Sequence, residues 1–176
     1  MNEIMSIPTG FLACDAMLKA ASVGLVSAGC VCAGKYYVVV KGDVAAVRSS
    51  VEAGADVAGG LLIDKLVIPN VDDSVGPALC ACTAVEHLQA LGVMETYSLC
   101  AAMYAADAAA KAAEVTLLEV RLGRGLGGKS FILLTGGVAA VQAAIQAAEA
   151  LDETRGLMAK SVVIPSPHPD MLRAIG

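Results

Sequence analysis

The residues best suited to chemistry are sulfur- and glycine-rich. Cys30 and Cys32 stand two apart, just before Ala33-Gly34-Lys35. Two thiolates at that spacing are a possible metal ligand pair, but a structural site takes four ligands, so one pair also reads as packed, inert thiols. On an alternating strand the two would share a face. Cys80 and Cys82 repeat the spacing near Pro77, with no histidine set beside them, and read as structural. Cys14 and Cys100 lie in alanine-rich stretches and read as small hydrophobes. The segment Gly123-Arg-Gly-Leu-Gly-Gly-Lys129-Ser130 has the spacing of a phosphate-binding loop. Such a loop must lead into a helix whose N–H groups face the phosphate. Here FILLT follows, which reads as a strand, so nucleotide hydrolysis fails on topology. His87 and His168 belong to no triad and no paired-carboxylate arrangement. Nothing in this inventory assembles an enzyme's active site.

The elements that position these residues come in two copies. Ser6, Asp15, Lys19, Gly34-Lys35, GDVAAV at 42–47 and VIP at 67–69 recur as Ser98, Asp107, Lys111, Gly128-Lys129, GGVAAV at 136–141 and VIP at 163–165. The offset grows from 92 (Ser6 to Ser98) through 94 (Gly34 to Gly128) to 96 (Val67 to Val163). Solenoid units repeat every twenty to fifty residues, so this is a duplicated small domain. The expected division is 1–87 and 88–176. Only the first copy has cysteines before its Gly-Lys.

Each copy reads as β-α-β-β-α-β. The first has helices over 9–22 and 43–57, strands over 23–31 and 36–40, and a short edge strand at 67–69. The second has helices over 99–113 and 137–150, strands over 115–122 and 130–135, and an edge strand at 162–165. The run YYVVV is β-branched and aromatic, a strong strand signal. Met1–Met5 stands against 91–98, so a clipped opening strand is expected in the first copy. A helical turn is expected within 70–82. The fold class is α/β, an α+β sandwich with an antiparallel sheet and helices on one face. Asp15/Lys19 and Asp107/Lys111 are i,i+4 pairs, which read as helix salt bridges or interface contacts.

Composition sets the setting. Of the 176 residues, 57% are hydrophobic, yet there is no Trp and only two Phe. Two small domains cannot hide so much apolar surface alone, which predicts contacts between chains. The net charge of -5 disfavours nucleic acid as a partner. No apolar run is long enough to cross a bilayer, and no signal region opens the chain, so no membrane partner and a cytoplasmic setting are expected.

SIPTGFLACDAMLKAASV at 6–23, CAGKYYVVVKGDVAAVRSSVEAG at 32–54 and LVIPN at 66–70 resemble the bacterial microcompartment shell domain. GVMETYSLCAAMYAADAAAKAAEV at 92–115, GGKSFILLTGGVAAVQAAI at 127–145 and VVIPSPH at 162–168 resemble it again. Within that family the chain most resembles a tandem-domain subunit type of propanediol-utilisation shells. The resemblance implies a non-enzymatic shell subunit, three chains forming a pseudohexameric homotrimer that tiles with other shell proteins. It implies a pore at the centre, lined by Ala33, Gly34, Gly125, Leu126 and Gly127, and tile-edge roles for Lys19 and Lys111. It also implies one [4Fe–4S] cluster per trimer, held by Cys32 from each of three chains with Cys30 as an additional thiol nearby. Such a cluster would pass electrons across the shell or be delivered to encapsulated redox enzymes. The alternatives are a passive metabolite-pore tile without a cluster, and a metal or redox sensor built on Cys30 and Cys32.

Overall fold

The computed structural model describes residues 1–175. Packing divides the chain into two compact units. One comprises Met1–Asn70 together with Gly123–Gly128, the other Val71–Leu122 together with the residues from Lys129 on.

The first unit runs β1 (Asn2–Ile4), α1 (Ile7–Ala20), β2 (Gly24–Val31), β3 (Lys35–Lys41), α2 (Val44–Ala58) and β4 (Leu62–Lys65). Its sheet is antiparallel with strand order β2-β3-β1-β4. The second unit adds α3 (Val75–Leu79), then β5 (Ala90–Thr96), α4 (Leu99–Ala112), β6 (Val115–Leu122), β7 (Ser130–Gly136), α5 (Val138–Ala150) and β8 (Met158–Ile164). Its strand order, β6-β7-β5-β8, repeats that of the first. The expected α+β sandwich, duplicated, is what forms.

Local chemistry explains the element starts. Ser6 caps α1 by accepting a hydrogen bond from the Thr9 amide (3.4 Å), and Pro8 occupies the first turn, where its missing N–H removes no helical bond. Ser98 does the same for α4 through the Ala101 amide (3.3 Å). The repeated serines are therefore helix caps.

In the first core Tyr36, Val38 and Val40, alternate residues of β3, meet Met17 of α1 and Val51 of α2. Burial of each such side chain contributes about 1.5–3 kcal/mol. Glycines set the spacing. A Cβ on Gly10 would lie 2.4 Å from the Cβ of Tyr36, and one on Gly54 would lie 2.5 Å from Met17 Cγ. The helices sit this close because those positions carry no side chain.

Two expectations need correction. The edge strands do not coincide with the VIP triplets. β4 ends at Lys65, before Val67, because its partner β1 pairs only from Asn2 to Ile4. β8 begins well before Val162 and follows the longer β5 as far as Ile164. Cys30 and Cys32 do not share a strand face, because β2 ends at Val31 and Cys32 lies in the turn beyond it.

Candidate functional site

β2 and β3 form a hairpin closed by the Val31–Lys35 pair, leaving Cys32, Ala33 and Gly34 as its turn. Gly34 has φ +78°, a conformation that other residues reach only at a cost, which explains glycine there. Cys32 is half-buried, whereas Ala33 and Gly34 are exposed. Strand alternation stops at Val31, so it cannot place Cys32 beside Cys30. Cys30 pairs in register with Tyr36, so its side chain shares the face of a residue in the helix-facing core, at an exposed edge.

The glycine segment Gly123–Gly128 packs in the same unit as this turn. The Cys32 amide donates to the Gly123 carbonyl at 3.1 Å. A Cβ on Gly128 would lie 3.1 Å from the Cys32 carbonyl oxygen, and one on Gly123 would lie 2.8 Å from Val31 Cβ. Glycines 123, 125, 127 and 128 all have positive φ. The structure thus brings Cys32, Ala33 and Gly34 together with the segment that carries Gly125, Leu126 and Gly127. Gly125 and Gly127 are exposed and Leu126 is half-buried. Arg124 reaches back over the sheet. Its Nη2 would be 2.9 Å from a Cβ on Gly29, with the Tyr37 ring alongside. A strand, β7, follows the segment where a phosphate loop leads into a helix, so a phosphate loop is excluded by topology.

The lysine of each Gly-Lys pair has a partner that sequence reasoning missed. Lys35 Nζ meets Glu3 Oε1 at 2.8 Å, with Glu3 fully buried. Lys129 Nζ meets Glu95 Oε1 at 2.7 Å, both groups partly exposed. Glu3 and Glu95 stand at the same 92-residue offset as the serine caps, and each is an acid inside an apolar strand. That was the available signal. These pairs anchor the base of each hairpin to the central strand of its sheet.

Lys19 pairs with Asp15 at 2.6 Å on the exposed face of α1. Lys111 pairs with Asp107 at 2.7 Å, where the carboxylate is nearly buried and also accepts the Asp72 amide at 2.8 Å. Both are the expected helix ion pairs. Cys14 is half-buried, and its thiol pKa is raised, first by burial and then by the Asp15 carboxylate. Burial also raises the Tyr36 phenol. His168 Nδ1 accepts the Asp170 amide at the head of the turn Pro169–Ala174, a local structural role. Among the described residues of one chain, no group of three or more His, Cys, Asp or Glu is placed to hold a metal ion. No helix of the described residues is long and apolar enough to cross a membrane.

Two copies of a four-stranded antiparallel sheet with two helices, each with a Gly-Lys hairpin, define a tandem shell-domain protein. The BMC domain family matches residues 1–71 and again 90–167, and the chain belongs to that family. It is 41% identical over 171 residues to the bacterial microcompartment shell protein PduT of Citrobacter freundii, covering 97% of this chain and 93% of that protein. It is 40% identical over 85 residues to the shell protein EutM of Salmonella typhimurium, covering 48% of this chain and 85% of that protein. In fold it matches the crystal structure of a microcompartment protein from Desulfitobacterium hafniense with a TM-score of 0.92, 48% identity and 98% and 96% of the two chains covered. The chain is a structural microcompartment shell subunit.

Proposed function

We propose that three copies of this chain form a six-domain pseudohexagonal tile whose centre is a passive pore for small metabolites. The observation that carries this reading is the pairing of the Cys32–Gly34 turn with the Gly123–Gly128 segment in one unit. Small residues with exposed backbone dominate both, as the wall of a narrow opening requires. The exposed apolar residues of α1, Phe11 and Leu12, supply surface that a neighbouring chain would cover. Lys19 and Lys111 are then tile-edge residues, and other shell proteins are the outer partners.

A second reading adds one [4Fe–4S] cluster per trimer. It is favoured by Cys32, a thiol on a turn whose backbone is fixed by Gly123. Thiolate is the donor such clusters require. One chain offers too few ligands, so the residues fit only if three Cys32 thiolates converge. Held there, a cluster would supply one-electron chemistry for encapsulated redox partners. A sensor using Cys30 and Cys32 on one ion is disfavoured, because Cys30 is directed to the face of Tyr36.

Native mass measurement tests the tile, and a monomer at micromolar concentration would overturn it. Anaerobic reconstitution with iron and sulfide, followed by metal counts and electron paramagnetic resonance, separates the two pore readings. The passive pore predicts no bound iron. About one cluster per three chains, lost in Cys32→Ala and kept in Cys30→Ala, would establish the second reading. One zinc per chain requiring both cysteines would establish the sensor.

A further inference from the structure

We propose that Cys80 and Cys82 form a reversible dithiol–disulfide pair that exchanges with low-molecular-weight disulfides of the glutathione type. Both thiols are exposed, and neither contributes to the turn and glycine segment described above. They lie in the segment that leaves α3, whose Val75 and Ala78 are buried. The backbone there is held by its own hydrogen bonds. The Cys80 amide donates to Pro77 O at 3.1 Å, Ala81 to Ala78 O at 3.3 Å, and Cys82 to Pro77 O at 2.9 Å. Between the cysteines Ala81 has φ +52°, which turns the chain back on itself. The Cys82 thiol consequently points at residue 80, its Sγ donating to the Cys80 carbonyl at 3.3 Å. Standard bond lengths then place that sulfur within about 6 Å of the Cys80 Cα, so a further turn of the two side chains and of the short 80–82 backbone closes the bridge.

The other thiols are less suited. Cys100 is buried and Cys14 is half-buried with a raised pKa. Cys30 lies on a strand and Cys32 in the adjoining turn. Ala81 also lines a cleft of about 270 Å³ with Thr83, Val85, Glu119, Arg121 and Leu172, so one side of the turn is open to a small reagent.

One cysteine thiolate attacks a sulfur of the reagent disulfide, forms a mixed disulfide and releases one reagent thiol. The second thiolate displaces the other reagent thiol and closes the protein disulfide. Two protein thiols lose two electrons and two protons, one S–S bond forms, and one reagent disulfide becomes two thiols. Closure fixes the turn that carries Ala81, a lining residue of the cleft.

The test uses the whole chain in glutathione buffers spanning reduced to oxidised, with acid quenching and alkylation. Cleavage after Glu52 and Glu86 releases peptide 53–86, whose only cysteines are Cys80 and Cys82. Mass spectrometry of that peptide should show a form two hydrogens lighter, growing with oxidised glutathione and reversed by excess thiol. Cys80→Ser and Cys82→Ser should instead retain one glutathione, at roughly tenfold or more the wild-type adduct level, because the second thiol acts at high effective concentration. A wild-type peptide that stays fully alkylated at every ratio would overturn the proposal. So would one that keeps glutathione without closing, or that bridges to another chain.

Discussion

The two hairpins are built from the same parts and sit differently. In the first, three residues join β2 to β3, and the lysine that follows pairs with a fully buried glutamate. In the second, seven residues join β6 to β7, and the equivalent pair is about a third exposed on each side. Duplication preserved the pairing and changed its surroundings. A charge in water loses little when its partner goes, whereas a buried one keeps its full desolvation cost. The same substitution should therefore have unequal effects. Lys35→Met, which keeps the apolar stem, should cost about 3–5 kcal/mol of stability in urea denaturation. Lys129→Met should cost about 1 kcal/mol or less. Equal losses would mean that burial of Glu3 does not govern the first hairpin.

The helices repeat this lesson in volume. Gly10 lies against Tyr36, and the equivalent positions of the second copy are Ala102 and Ser130. Gly54 lies against Met17, and its counterparts are Ala148 and Ala109. Where one member of a pair is larger by a methyl, the other is smaller, so each close approach in the first copy has room for a Cβ in the second. Gly10→Ala should overpack the first core and cost about 1–3 kcal/mol despite the better helix propensity of alanine. Tyr36→Ser alone should cost more, by opening a cavity. In the double variant the two costs should be less than additive, measured as a double-mutant cycle. Strict additivity would show that the two residues do not share one packing space.

The acidic groups of α1 and α4 sharpen the contrast through pH. Asp15 is exposed and pairs with Lys19. Beside α4, Asp72 accepts the Ser74 hydroxyl and amide, and these hold its carboxyl below the usual 3.8, with Lys111 adding to the effect. A lowered folded pKa stabilises the fold at neutral pH, and that contribution is lost as pH falls through the folded value. Ser74→Ala should therefore lower stability at neutral pH. The gap from wild type should shrink below about pH 4 and close once Asp72 is protonated in both states. A gap that widens on acidification would reverse the assignment.

How much of this was legible in sequence depends on range. The helices and central strands came from local periodicity and from the repeat, and they stand within two residues of the expected positions. The Glu3–Lys35 pair was not legible, because it depends on β1 lying beside β3, with Glu3 opposite Tyr37. The VIP triplets misled because strand length is set by a partner, and β4 stops where β1 stops pairing. Cys30 and Cys32 were assigned one face by an alternation that ends one residue too early. The proximity of Cys32 to Gly123 joins residues distant in sequence through one hydrogen bond and two close approaches, which no spacing rule encodes.

The smallest effect tests whether the second copy fully absorbed its change of packing. Ser130 occupies the place of Tyr36 and is completely buried, and among the described residues its hydroxyl has no hydrogen-bond partner. A buried hydroxyl without a partner has lost its water and gained nothing in exchange. Tyr36 fills its site with a ring that packs against Phe11 at 4.8 Å between centroids. Ser130→Ala removes one oxygen and leaves the backbone pairing with Thr96 in place. It should leave stability unchanged or raise it by up to about 1 kcal/mol, read from the denaturation midpoint at constant slope. A clear loss would mean that the hydroxyl is satisfied in solution, and that the second core was completed by a polar contact where the first was completed by an aromatic ring.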